Sequence, residues 1–518
     1  MVAGIGRRGF VGGAAALSAG LWLPLPGRAA SAMDFDEARH LLSRTSFGAT
    51  PAEIRALEAQ DYAAAVDRLL AGVRREAITP PPGWLGESPA ELRRRQQAAQ
   101  AERASAERKP GVDGKPLEIA RPVQEQGREL RNWWVEEMLV TDQPLTERMV
   151  LFWHNHFTSA FIKVRYPPAL FRQNALFRQQ ALGNFATLLK SVARDPAMLI
   201  YLDGMRSVAR QPNENFAREL LELFTLGEGH YSEADIKQAA RAFTGWTIDP
   251  ESGHFISRDQ QHDDGEKTFL GQTGRFGGDE IIAILLRHPR TAETIVEKMW
   301  REFVSLRPDP AEVKKLAASF RKDYELRPLM RSLLLTAQFR DPANRGALIK
   351  SPIDLIVGTV HVLGLPVPEK TQLVRMLYGL GQVPFNPPNV KGWAGGEKWI
   401  TTYTLLLRQQ FLRRMVEATT VSSMDGMGSM QGGRRNERKE RLPADESMQA
   451  MEPPRPVEGR SLRNAGMAAR LGPTLAGVDA AELTRVLLPR QPIDAVETNG
   501  SPGAAVAAAM LDPAYQLK

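Results

Sequence analysis

The sequence predicts a mostly α, multi-helix globular domain with long ordered loops and a disordered insert. Three observations carry this reading. Leu, Ala, Arg and Glu are plentiful while alternating runs of Val, Ile and Thr are scarce. Apolar residues recur at helical spacing along much of the chain. Helix starts are marked by a capping residue followed by proline, at Thr50-Pro51, Asp195-Pro196, Asp309-Pro310, Asp341-Pro342 and Ser351-Pro352. With 518 residues the chain has length for one large domain or two to three ordinary ones.

Residues 1–32 have the form of a twin-arginine signal peptide. Arg7 and Arg8 precede Gly9, Phe10 and Val11, a short apolar run follows, and Ala30-Ser31-Ala32 offers a small-residue cleavage site. A retained membrane anchor is the alternative, but Val11 to Leu25 holds three glycines and a proline and is short for a span. The expectation is therefore a periplasmic or secreted protein with no stable membrane span after cleavage. The formal charge is +7, and removing Arg7, Arg8 and Arg28 with the signal leaves +4. Acidic residues are interspersed with the basic ones and no zinc-knuckle, RNP or basic-helix pattern appears, so nucleic acid is not an expected partner. The chain has no cysteine, which excludes disulfides, thiolate metal sites and a Cys nucleophile. Any metal must sit on His, Asp, Glu or carbonyl oxygen.

The main helical domain is expected over 34–417. It starts with a helix from Asp34 to Leu42, in which His40 reads as a packed or surface histidine, and continues with a capping box at Thr50 and Glu53. A charged insertion over about 93–126 reads as a solvated helix followed by a loop. From Thr146 to Phe161 apolar residues cover nearly the whole circumference, which predicts a buried helix. Within it Glu147, Arg148, His154, Asn155 and Thr158 share one narrow stripe, and His156 points nearly opposite, among Met149, Phe152 and Trp153. One metal cannot take both histidines while the helix stays regular. His154 is the candidate ligand or general base, with Glu147 or Asn155 to orient its ring; a buried hydrogen-bond network is the alternative for both histidines.

The stretch from Pro212 to Trp246 predicts two helices and a turn. Phe216, Ala217, Leu220, Leu221, Leu223 and Phe224 fill one side of the first, and Glu214, Asn215, Arg218, Glu219 and Glu222 the other. Gly227 and Gly229 end it, and Ser232 with Asp235 caps the next, whose apolar stripe is Ile236, Ala239, Ala240 and Phe243. Glu214, Arg218 and Glu222 form either an exposed ion-pair ladder or a polar face turned toward the His154 stripe.

His262-Asp263-Asp264-Gly265 opens an oxygen-rich loop, with room for a short hairpin. It can complete a metal site or be a turn held by Asx hydrogen bonds. Helices return from Glu280 to Phe303 and from Pro310 to Phe339, with His288 and His361 as ordinary helix residues. Prolines, glycines and two tryptophans from Phe385 onward predict an ordered loop. There Trp393 and Trp399 either stack on a sugar or aromatic ligand or are buried as anchors. Residues 418–465 are rich in Gly, Ser, Pro, Met and charge and read as a disordered insert. Residues 466–518 form a C-terminal tail with short helices, including Asp479 to Leu488.

Five stretches occur in one order: HLLSRTSFGATPAEI from His40, ERMVLFWHNHFTSA from Glu147, NENFARELLELFTLG with ARAFTGW, HDDGEKTFLGQTG from His262 and FNPPNVKGWAGGEKWI from Phe385. Together they make residues 34–417 resemble DUF1800, a family of exported bacterial proteins whose activity is not established. The resemblance implies a neighbourhood rather than a reaction, because such proteins are often encoded beside DUF1501 members, which are similar to exported sulfatases and phosphatases. Two functions fit. One is a metal-dependent envelope enzyme acting on a polymer such as a polysaccharide, or on its ester groups. The other is a non-catalytic partner that binds or assembles a DUF1501-like protein. For the enzyme, His154, Glu214 and Arg218 are the catalytic candidates. His154, Glu214, Glu219, His262 and Asp263 are the ligands for Zn, Mn, Fe or Ca, and Trp393 and Trp399 the stacking pair.

Overall fold

The caps written in the sequence start the helices they predict. Asp34, Thr50, Ser232 and Ser351 each close a reciprocal capping box, with Glu37, Glu53, Asp235 and Asp354. Asp195 and Asp309 cap helices that begin with proline. Such caps satisfy orphan N–H groups locally, so they survive any tertiary context. The computed structural model describes residues 32–107, 122–365, 368–421, 474–494, 496 and 502–518. The signal segment 1–32, apart from Ala32, lies outside these residues, as does nearly all of the insert expected at 418–465.

Twenty-two α-helices make up the described residues, with two small antiparallel ribbons and no larger sheet. Trp246–Ile248 pairs with Phe255–Ser257, Trp246 opposite Ser257. Lys267–Phe269 pairs with Gln272–Gly274 across Leu270 and Gly271, both at positive φ, the turn geometry that matches strand twist in a two-residue hairpin. Among the described residues no helix is long and apolar enough to cross a membrane.

One hydrophobic core runs from Met33 to Tyr515. The helix Pro144–His156 lies within it, packed on Pro167–Gln179 and Pro122–Val140. The tail belongs to the same body. Ala480–Leu487 packs on Pro51–Glu58, Pro502–Leu511 packs on both Ala480–Leu487 and Thr402–Val421, and Leu475, Leu483, Val506 and Tyr515 join the core.

Three expectations are corrected. The helix Thr402–Val421 runs past 417, so the first residues assigned to the insert are helical. The charged insertion begins in the expected helix, Pro89–Glu107, but its last residues, from Pro122, belong to the helix Pro122–Val140 rather than to a loop. The helix from Glu214 is not a uniform α-helix: Glu214–Glu219 is α, and Leu220–Thr225 is a π-helical stretch. The wider turn shifts the phase of every later residue, leaving Leu223 half-buried rather than in the core and sinking Thr225 completely.

Candidate functional site

The polar stripe of the helix Pro144–His156 is buried, as its sequence requires, but its members reach different partners. The fully buried Glu147 carboxylate accepts Nε and Nη2 of Arg178 at 2.7 and 2.9 Å and Nε1 of Trp134 at 2.8 Å, a closed bidentate pair. Arg148 turns the other way, to Asp354 and to Glu302 at 2.8 Å. Asn174 donates its Nδ2–H to Nε2 of His154 at 3.0 Å, which makes that nitrogen an acceptor and the ring neutral. Trp134, Phe177 and Phe385 wall the ring at centroid distances of 4.5, 4.8 and 5.1 Å. Burial, then the nearby Arg178 charge, pushes His154 down to about 3. His154 is thus a member of a packed hydrogen-bond network, with Asn174 rather than Glu147 or Asn155 as the partner of its Nε2.

On the opposite side of the helix, Lys298 donates to Nδ1 of His156 at 2.9 Å and to the Leu223 carbonyl at 2.6 Å. Leu223 lies in the π-helical stretch, where wider turns alter which carbonyls have backbone partners. Thr225 donates its hydroxyl to Leu220 O, and Arg290 and Thr294 both donate to Leu226 O. Burial, then Arg301, lowers Lys298 to about 8.

The helix from Glu214, which opens the NENFARELL stretch and is called the NEN helix below, meets the loop after Phe385 at its C-terminal half. Lys391 lies 3.5 Å from Glu222 and 3.0 Å from Glu228, and Tyr231 donates to Glu222 at 3.1 Å. The half-buried Glu219 carboxyl is pushed up by burial and by Glu222, against Lys391. Asn155 holds the loop by accepting the Trp393 N–H at 2.7 Å, and Thr158 donates to Val390 O. Gly392 is required there. Its φ is +80°, and a Cβ would lie 2.2 Å from Asn155 Oδ1. Trp393 and Trp399 are both buried, so they anchor the loop and do not form a stacking platform.

Nearer its start, the same helix carries the surface ladder. Arg218 reaches Glu214 at 3.3 Å and Glu233 of the following helix at 2.7 and 2.8 Å. The HDD loop is closed by its own contacts. Arg241 donates to both Asp263 oxygens at 2.7 and 3.0 Å, His262 donates Nδ1–H to Thr244 O at 2.9 Å, and the buried Lys267 ammonium donates to Asp263 O and Gly265 O.

The expected five-ligand metal centre is therefore corrected. Asn174 takes His154, Arg218 takes Glu214, Thr244 takes His262, Arg241 takes Asp263, and Glu219 sits by Glu222 and Lys391. Among the described residues no group of three or more His, Asp or Glu is placed to hold an ion. The catalytic candidates Glu214 and Arg218 pair with each other, and His154 is held by Asn174. Sequence reasoning missed Arg178, Asn174 and Lys298, whose helical spacing marks them only as ordinary polar positions. Lys391 carried a signal, since it stands inside the FNPPNVKGW stretch.

What the motifs do bring together is three of the five stretches around one seam. Asn155 of HNH grips Gly392 and Trp393, Lys391 grips Glu222, and Lys298 ties His156 to the π-helical turn. Neither a curated protein nor a solved structure matches the chain. A family model described as a protein of unknown function matches residues 40–517, which takes in the tail beyond the expected limit at 417. The chain belongs to that family, DUF1800.

Proposed function

We propose that this protein is a non-catalytic binding or assembly partner of the cell envelope, exported by the twin-arginine route. Its docking surface is the exposed face of the helix Thr402–Val421. The observation that carries this is an apolar patch where a soluble surface is normally polar. Leu406 is 56% exposed, Tyr403 47% and Leu405 39%, beside a groove of about 710 Å³ that Ile400, Gln409 and Arg413 help line. Clustered exposed aliphatic and aromatic side chains are the usual mark of a protein-binding site. The partner class is the DUF1501-like exported protein that family resemblance implies.

The test co-expresses the full chain with a DUF1501-like protein encoded beside it and follows the pair by size-exclusion chromatography. A stable complex that Leu406→Asp abolishes without changing the thermal midpoint supports the reading. No complex, or one indifferent to Leu406→Asp, sinks it.

The enzyme reading keeps one observation, the raised Glu219 carboxyl beside Glu222, a pairing used in acid–base hydrolysis. If it holds, Glu219→Gln abolishes turnover of an envelope polymer while leaving the DUF1501-like complex intact.

A further inference from the structure

The helix Phe35–Thr45, the helix Pro352–Leu363 and the last residues of the chain meet around a cavity of about 40 Å³. The close approach that shapes it depends on two glycines. A Cβ on Gly358 would lie 2.0 Å from Phe47 O, and one on Gly48 would lie 2.9 Å from Val362. A volume of that size exceeds what one water needs and suits a small ion.

The side-chain charge around this cavity does not balance. Arg39, Lys350 and Lys518 line it, with Asp354 as the one side-chain carboxylate on its wall, and Arg44, Arg148 and Arg408 stand behind. Asp354 is already used twice, by Arg148 and by Lys518 at 2.6 Å, and Glu302 by Arg148. Asp36, the nearest acid to Arg39 at 3.8 Å, is shared with Arg345 and Arg485. Three of the six cations, Arg44, Lys350 and Arg408, have no carboxylate within ion-pair distance among the described residues. The Lys350 ammonium lies 3.6 Å from the centroid of the Tyr515 ring, and burial lowers it to about 7.

Among the described residues the same region gathers buried donors without partners: Nε of Arg39 on the cavity wall and, behind it, Nε of Arg44, Arg148 and Arg408, Nη1 of Arg44 and Nε2 of Gln516. Native interiors leave few such groups, and each costs the full desolvation of a donor. Water in the cavity would satisfy donors but leave the excess positive charge in place. Burial, and after it the neighbouring Arg148 charge, lowers Arg44 to about 9.

We propose that this cavity binds a small tetrahedral oxyanion, phosphate or sulfate, held by Arg39, Lys350 and Lys518 with the Ser43 hydroxyl available beside them. The site is independent of the apolar docking face, and nothing in that reading requires it. Three cationic donors around an ion of two negative charges would offset the excess and give Arg39 Nε, the orphan donor on a lining residue, an acceptor.

The experiment titrates inorganic phosphate and, separately, sulfate into the full chain at constant ionic strength set with chloride. The readouts are the thermal midpoint and isothermal calorimetry. The site predicts a saturable rise in midpoint and a one-to-one isotherm for the wild type. In Lys350→Gln, Kd rises about tenfold or more, as loss of one charge-assisted hydrogen bond requires. Lys350→Gln relieves repulsion in the empty cavity, so it folds and its midpoint in phosphate-free buffer is at least that of the wild type. Ser43→Ala, a conservative second variant, weakens binding by a smaller factor. Phenyl phosphate, added as a competitor, distinguishes the head group of an ester from the free ion. A midpoint rise that chloride reproduces, the absence of a saturable isotherm, or an isotherm unchanged in Lys350→Gln overturns the proposal.

Discussion

Glu147 and Arg148 are adjacent on one helix and end in opposite electrostatic settings. Glu147 faces Arg178 alone, two hydrogen bonds against one bidentate fork, with Trp134 taking up the second oxygen. Arg148 faces a layer in which cations outnumber carboxylates, and its own Nε has no partner. The first setting is complete without a ligand and the second is not. A polar stripe buried in a core therefore marks a site only where its charges fail to balance, and here the imbalance lies on the Arg148 side, away from His154.

The sharpest way to break the comparison is Glu147→Ala. It leaves the Arg178 guanidinium, 2% exposed, without its counter-charge. Stranding one member of a buried pair costs about 3–5 kcal/mol. Urea denaturation should show that loss, and a loss below about 1 kcal/mol would mean the pair is solvated in solution.

Acid separates the two sides more gently. Unfolded, a histidine takes a proton near pH 6.5, whereas folded His154 does so only near 3, and His40 and His156 are also held low by burial. Between these values the unfolded chain binds more protons, so stability present above pH 6.5 is lost as pH falls toward 3. Each such imidazole contributes up to about 1.4 kcal/mol per pH unit. Asp195 opposes this. Burial raises it to about 7, so that one group gains stability as pH falls from 7 toward 3.8. Asp354 adds to the loss at the acid end, because Arg148 and Lys518 outweigh burial and hold it low. Denaturation midpoints from pH 7 to 4 should therefore fall, and His154→Gln should flatten the slope. An unchanged slope in that variant would show that folded His154 carries a charge.

A third test touches the seam rather than the stripe. Gly392→Ala places a Cβ against Asn155 Oδ1 at positive φ, and strain of both kinds costs about 1–3 kcal/mol. The loop is then displaced from Asn155. Tryptophan fluorescence of buried Trp393 and Trp399 should shift to the red, and an unchanged spectrum would mean Asn155 does not set the loop.

The sequence was most legible where the physics is local. Thr50 with Glu53 and Ser232 with Asp235 close their capping boxes within four residues, so no distant contact is needed to read them. Burial of the stripe was legible too, since Met149, Val150, Phe152 and Trp153 leave its helix little solvent-facing surface. Its partners were not. Asn174 and Arg178 lie on the next long helix, and the choice between Glu147 and Asn155 as orienter was decided by packing that places Asn174 on His154. The wheel drawn from Glu214 failed after Glu219, because a π-helical stretch turns by less per residue and no residue type announces it. The imbalance beside Arg148 was invisible for a third reason: Arg39, Lys350 and Lys518 come from regions hundreds of residues apart and share a cavity only in the fold.

The smallest expected effect supplies the control for all of these. Glu214 and Arg218 form a buried site's charge pair in one reading and an exposed ladder in the other, and their side chains are 39% and 35% exposed. An i,i+4 pair at that exposure is screened by solvent and contributes a few tenths of a kcal/mol at most. Arg218 also keeps its stronger contact, the fork to Glu233, when Glu214 is neutralised. Glu214→Gln should accordingly change stability by less than about 0.5 kcal/mol, and the difference should vanish in 1 M salt. A loss comparable to that of Glu147→Ala would place Glu214 in a desolvated network. It would restore the inward-facing reading of the NEN helix and with it the case for a catalytic site there.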